Sequence, residues 1–220
     1  SEVPHHNSSN ISRTVQRKGN SWWLLLVVSL VLSSCSSSPD LNFEFQEGDI
    51  ILQSLNSSQC EAVRKATDSY YSHCGIVLND DGIPMVYEAI GPVIKSSIED
   101  FTSSGINGHF VVLRYDGLLD EHLDEMKDYC DGELGKPYDI YFNWDDTEIY
   151  CSELVWKAYA EAKISLCDLR PLSNYNLDSP EVKAIMNERY GELIPTNELM
   201  VAPSDLHSSD NLEVVFENDK

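Results

Sequence analysis

The chain has 220 residues, 42% of them apolar, enough for one sizeable core and with nothing that demands a second. Its net charge of -22 repels phosphate backbones and anionic lipid headgroups, which excludes nucleic acid as a partner and a basic patch as a membrane anchor. Residues 1–34 hold three bases and one acid, leaving 12 bases against 36 acids, or -24, for the remainder. Such a field opposes a thiolate, so any reactive cysteine needs a local cation, and histidine is the obvious supplier.

Residues 1–10 are assigned no function. Arg13, Arg17 and Lys18 then precede an apolar run over residues 22–32 that ends in Leu32-Ser33-Ser34-Cys35. A basic start, a short apolar run and a small-residue site read as a signal peptide too short to span a bilayer. Leu-Ser-Ser-Cys resembles the lipobox of bacterial lipoproteins, which implies lipidation at Cys35, attachment to a membrane through the lipid and a place in the bacterial cell envelope. A plain secretory signal cut near Ser36, or a short anchor, is the alternative. Residues 36–40 read as a tether, so the organisation is 1–34 extension and signal, 35–44 lipidated cysteine and tether, and 45–217 folded domain.

Within the domain, residues 50–53 form a short apolar strand, and Ser58-Gln59-Cys60-Glu61 has the form of a capping box that opens a helix to about residue 68. Residues 70–78 and 83–89 flank Asn79-Asp80-Asp81-Gly82 as a hairpin, which could bring His73 close to Glu88. Residues 97–100 start a short helix and residues 109–115 make a further strand. An acidic amphipathic helix covers residues 118–134, apolar at Leu119, Leu123, Met126 and Cys130. Pro180 opens a later helix at its first position, residues 202–206 read as a turn, and residues 212–216 as a last strand.

The central stretch is residues 145–156. Cys151, Leu154, Val155, Ala158 and Ala162 share the apolar stripe of a helix, with Cys151 in its first turn. Free backbone N–H groups and the positive end of the helix dipole favour a thiolate there and can receive an oxyanion. The bland alternative is a small core hydrophobe. Without Cys35 there remain Cys60, Cys74, Cys130, Cys151 and Cys167, an odd number in a disulfide-permissive setting, with no zinc-ligand spacing among them. No metal or other cofactor is expected.

Four histidines compete to serve Cys151. His122 sits in the acidic helix, where a solvated or capping role suffices. His109 begins a strand after a turn, and His207 lies in a polar tail without an element to hold it. His73 enters a strand two residues before Gly75, which leaves room for another group, and it best fits a base held by packed structure. Cys74, its neighbour, points to the opposite strand face and is expected in the core or in a disulfide.

Ser72-His73-Cys74-Gly75-Ile76-Val77, Glu88, Gly135-Lys136-Pro137-Tyr138-Asp139, Tyr150-Cys151-Ser152-Glu153-Leu154-Val155 and Pro203-Ser204-Asp205-Leu206 occur in one order. Together they resemble the circularly permuted NlpC/P60 cysteine hydrolases of the YiiX/YebB/YaeF type. The resemblance implies an α+β, papain-like fold with permuted topology, a small antiparallel sheet or barrel packed against helices. It also implies Cys151 as nucleophile, His73 as base and Glu88 as the orienting third residue, with the Cys151 backbone N–H in the oxyanion hole. Tyr150 and Tyr71 are candidates to line the site, against a packing role, and Glu153 a favourable charge in the helix's first turn. The implied activity is hydrolysis of an amide or ester through a cysteine acyl-enzyme, on cell-wall peptide (peptidoglycan) or a lipid-linked amide or ester. A non-catalytic envelope-anchored binding module and an acyltransferase on the same fold are the alternatives.

Overall fold

The computed structural model describes residues 43–218. The expected signal peptide, Cys35 and the expected tether up to residue 42 lie outside the described residues, among which no helix is long and apolar enough to cross a membrane.

The architecture is α+β. Strands β1 (Ile50–Gln53), β2 (His73–Asp80), β3 (Ile83–Ala89), β4 (Val93–Ser97), β5 (Phe110–Arg114) and β8 (Glu213–Glu217) form one sheet in the order β4-β3-β2-β1-β5-β8. Every neighbouring pair in it is antiparallel. All four residues of β1 are buried because both faces of the sheet are covered, so its sequence is a continuous apolar run instead of an alternating one. Side chains of β2 alternate between two cores. Cys74, Ile76 and Leu78 join the core that includes Met126, Cys130, Cys151, Leu154 and Val155. These come from α3 (Asp120–Glu133) and α4 (Cys151–Glu161). Val77 joins the other core with Ile51, Val86 and Phe101, the last from α2 (Ile98–Ser104).

A third cluster unites Ala62 of α1 (Ser58–Thr67) with Val182 and Met186 of α5 (Pro180–Tyr190). Two-residue strands β6 (Arg170–Pro171) and β7 (Leu199–Met200) pair beside it. Proline at the start of α5 and the Ser179 side chain accepting from Val182 N–H explain where that helix begins.

Some boundaries differ from the sequence reading. The cap of α1 is Ser57, not Ser58, with its Oγ accepting from Cys60 N–H at 3.1 Å. In α3, Leu119 is the exposed N-cap and not part of the buried stripe. His122 caps that helix, its Nδ1 accepting from Leu119 N–H at 3.1 Å. The expected turn at residues 202–206 is a short helix, α6 (Pro203–His207), in which Asp205 accepts from Ala202 N–H at 2.7 Å. His207 therefore ends an element and packs on Tyr71, ring centroids 4.9 Å apart, which corrects the expectation of an unheld tail. Cys60, Cys74, Cys130, Cys151 and Cys167 are all free thiols, so no disulfide joins them.

Candidate active site

The first turn of α4 is held from several sides before any chemistry is considered. Backbone bonds from Ile149 N–H to Pro137 O (3.0 Å) and from Asp139 N–H to Ile149 O (3.2 Å) pin the preceding loop. Ser152 Oγ donates to Val201 O at 2.8 Å, and Tyr150 OH accepts from Val201 N–H at 3.2 Å. Glu153 does more than supply a surface charge. It is fully buried, accepts from Tyr150 N–H at 3.3 Å and pairs with Lys157 Nζ at 2.8 Å. Burial pushes its carboxyl up to about 7, against the pull of Lys157. Cys151, 3% exposed, is the first residue of this restrained turn.

His73 begins β2 at the end of the sheet, where it meets both α2 and α4. Its ring lies 5.4 Å from that of Phe101, and Cys151 is near enough to act on its charge. The register of Ile76 with Tyr87 continues to place Gly75 across from Glu88. Glu88 thus shares the face of His73 and reaches it on the diagonal. His73 Nε2 stands 2.6 Å from Glu88 Oε2, which leaves Nδ1 for the sulfur, and both side chains are buried. Glu88 Oε1 in turn accepts from Ser96 Oγ at 2.5 Å. Gly75 is required by its surroundings: a Cβ there would sit 2.5 Å from Val86 Cγ1 and 2.9 Å from Tyr87 O, and would press on Phe101. Its missing side chain lets these groups close up beneath His73 and Glu88.

The electrostatics favour separated charges. Burial alone would lower the His73 pKa, but hydrogen bonds and charge from Cys151 and Glu88 raise it to about 10. The Cys151 thiol is held well below its ordinary range, first by a hydrogen bond from the Cys74 side chain, then by His73 and by Cys74 N–H, all against burial. An ionised sulfur beside a protonated imidazole is what these contacts stabilise.

Cys74 lies in the core, as expected, with its side chain on the sheet face that α4 covers. Ser96 was missed, since nothing in the sequence marks which side chain supports a carboxylate on the next strand. The proposed lining tyrosines have other places. Tyr150 is buried against Phe142, with ring centroids 5.2 Å apart, and serves to anchor α4. Tyr71 packs against Tyr70, His109 and His207 and directs its hydroxyl to Glu217 at 3.5 Å.

A cleft of about 580 Å³ opens beside His73, bounded by residues 55–60, Ser72, residues 89–91, Tyr138 and Ile140. That volume suits a small ligand or one or two residues of a longer chain. Tyr138, whose OH accepts from Gln59 Nε2 at 2.9 Å, fills the place expected of Tyr71. Burial and the nearby Cys151 raise its pKa well above the usual phenol range.

Comparison with known proteins bears on the family and the fold. The family model described as the permuted papain-like amidase enzyme, YaeF/YiiX, C92 family, matches residues 44–216. The YiiX protein of Escherichia coli strain K12 is 38% identical over 188 residues, which span 84% of this chain and 93% of that one. The crystal structure of the metalloprotein YiiX from Escherichia coli O157:H7 superposes with a TM-score of 0.77 at 37% identity, covering 80% of this chain and 99% of that one. Among the described residues here, no group of three or more histidine, cysteine, aspartate or glutamate side chains is placed to hold a metal ion. Extensive sequence identity, the shared fold and a match over the whole described domain place the chain in the family of permuted papain-like amidases of the YaeF/YiiX type.

Proposed function

We propose that the protein is a cysteine amidase in which Cys151 is the nucleophile, His73 the proton carrier and Glu88 the group that orients the imidazole. The observation that carries this reading is the buried pair itself: His73 Nε2 2.6 Å from Glu88 Oε2, with buried Cys151 opening the neighbouring helix and an open cleft beside His73. In the first half-reaction the Cys151 sulfur attacks the substrate carbonyl, and the oxyanion that forms meets backbone N–H groups in the first turn of α4, that of Cys151 among them. His73 passes its proton to the departing amine, or to the alcohol of an ester, leaving a thioester. Water then gives a proton to His73 and its oxygen to the acyl carbon, which releases the acid and restores the pair. Glu88 keeps the imidazole in one tautomer and one orientation throughout, and Ser96 keeps Glu88 in place.

The substrate class follows from the cleft and from the reading of the N-terminus. A lipid on Cys35 would hold the domain at a membrane of the bacterial envelope, where amide or ester bonds of cell-wall peptides and lipid-linked molecules are within reach. No metal enters the proposed steps.

The test measures the pH dependence of Cys151 alkylation by iodoacetamide, together with hydrolysis of a panel of amides and esters. It compares the wild type with His73→Ala and Glu88→Gln. A Cys151 that reacts well below pH 8.5, the usual range of a free thiol at roughly that value, and loses this on His73→Ala supports the reading. A Cys151 with an ordinary profile and no turnover on any substrate leaves a binding module on the same fold.

A further inference from the structure

The cleft beside His73 has a wall that the proposed steps leave unused. Gln59, in the first turn of α1, and Tyr138, in the loop bridged to Ile149, both line it. Gln59 Nε2 donates to Tyr138 OH at 2.9 Å, and Gln59 Oε1 accepts from Nη2 of Arg189 in α5. A guanidinium can only donate, so it fixes which end of the amide faces it. The NH₂ end then faces Tyr138, whose oxygen accepts and whose own hydrogen is left over. Among the described residues, neither that hydrogen nor the second amide hydrogen of Gln59 is donated to any group.

We propose that Gln59 and Tyr138 bind an oxygen of the substrate next to the scissile carbonyl, a backbone carbonyl of a peptide, and that Arg189 positions Gln59 for it. This rests on the reading of Cys151 and His73 as the amidase pair, and it selects peptide over a plain acyl chain as the substrate class. Two donors whose heavy atoms stand 2.9 Å apart converge on one acceptor. A peptide carries a second carbonyl one residue from the bond that is cut. An acyl chain has only methylene groups there, and it would strip water from both donors and give nothing back.

Arg189 is suited to the positioning role. Its guanidinium lies 5.3 Å over the Phe142 ring, and Nη1 is buried without a partner, so Gln59 is the acceptor that holds it. Burial and the nearby Cys151 keep the Tyr138 phenol protonated, which preserves its hydrogen as a donor. The rest of the lining suits what flanks a peptide carbonyl. Leu55, Ala89, Ile90 and Ile140 are apolar, and no lysine or arginine lines the cleft to call for a charged group.

The experiment uses the full chain and two anilides of matched length. One is acetyl-alanyl-alanyl anilide; the other is an alkanoyl anilide that lacks the second carbonyl. KM and kcat are measured for both in wild type, Gln59→Leu, Gln59→Glu, Arg189→Met and Arg189→Lys, with thermal melts to confirm folding. Gln59→Glu keeps the shape and still pairs with Arg189, but at neutral pH it can only accept, so it also takes up the Tyr138 hydrogen. Both Gln59 variants are expected to raise KM for the dipeptide anilide about tenfold relative to the alkanoyl anilide, the worth of about one hydrogen bond, with kcat changed less. Arg189→Met is expected to give a smaller rise, about threefold, because the amide is free to turn over, and Arg189→Lys, which still donates, to restore the wild-type value. If folded Gln59→Glu handles the dipeptide anilide as the wild type does, or if both substrates change equally, the proposal falls and the amidase reading stands. If the wild type turns over neither anilide, the amidase reading is what fails. Calorimetric binding of the dipeptide anilide to Cys151→Ala, with and without Gln59→Glu, then decides the proposal: a tenfold loss of affinity sustains it, and equal affinity or no binding overturns it.

Discussion

His73 and His109 are both buried histidines with a glutamate near a ring nitrogen, and the contrast between them shows what separates a site from a structural contact. At His73 the glutamate is also buried, 2.6 Å away and fastened by Ser96, and the remaining ring nitrogen faces a thiol at the mouth of a helix. At His109 the glutamate is Glu217 of the edge strand β8, 3.4 Å away with its side chain 47% exposed. There the other nitrogen meets the backbone carbonyl of Asn218 at 3.1 Å, while Asn218 also accepts from Phe110 N–H and donates to Gly108 O. Tyr70 and Tyr71 pack on the His109 ring. That histidine fastens the chain end to the sheet. A histidine beside a carboxylate is common to both regions; a rigidly aimed thiol marks only the first.

This comparison can be broken most directly by alanine at each histidine. His73→Ala is expected to lower turnover by about 10³-fold, within the range for loss of a general base, while His109→Ala stays within about twofold. His109→Ala should instead cost about 1–3 kcal/mol of stability, read as a lower denaturant midpoint. Equal losses of turnover would erase the distinction drawn here.

The carboxylates sharpen it. Glu88→Gln keeps the shape but not the charge, and a fall in kcat of about 10²-fold or more is expected from a misoriented imidazole. Glu217→Gln should leave kcat unchanged. A smaller effect, about fivefold, is expected for Ser96→Ala, the worth of one hydrogen bond that steadies Glu88. Retention of activity in Ser96→Thr would tie that effect to the hydroxyl.

The subtlest difference lies in how stability depends on pH. His73 has a folded pKa of about 10 against 6.5 unfolded, so its contribution is complete below pH 6.5 and is lost as pH rises towards 10. Cys151 runs the other way: held well below its ordinary 9.0, it contributes fully above pH 9.0 and less as pH falls through its folded pKa. As pH rises from 6.5 to 9.0 the His73 contribution falls while that of Cys151 grows, so the two slopes oppose each other. The stability difference between wild type and the Cys151→Ala, His73→Gln double variant should therefore vary least within that window and decline on both sides. His109→Ala should keep the wild-type shape. Chemical denaturation at a series of pH values checks both.

Much of the site was legible because it is written in local spacing. The apolar stripe placed Cys151 in the first turn of a helix, and the Asn79–Gly82 turn made His73 and Glu88 members of one hairpin. The alternation of β2 put Cys74 opposite His73 correctly, yet the reading stopped there. Period two tells which face a side chain takes and nothing about which distant element will cover it. The same gap explains Tyr71, whose neighbours His109 and His207 come from far along the chain, and Glu153, whose depth depends on what packs over α4. At α1 the cap missed by one residue because Ser57 and Ser58 are chemically equivalent candidates.

By itself, then, the sequence determined the alternation of strands and helices, the hairpin that carries His73 and Glu88, and the helix that begins at Cys151. Those depend on turn residues, caps and apolar period within a few neighbours. Only the tertiary structure decided that Phe101 stacks on His73, that Ser96 braces Glu88, and that α4 covers the sheet face holding Cys74. Ser96 is near Glu88 in the chain, but the other contacts join elements far apart, and their relative placement is set by how two cores fill on either side of one sheet.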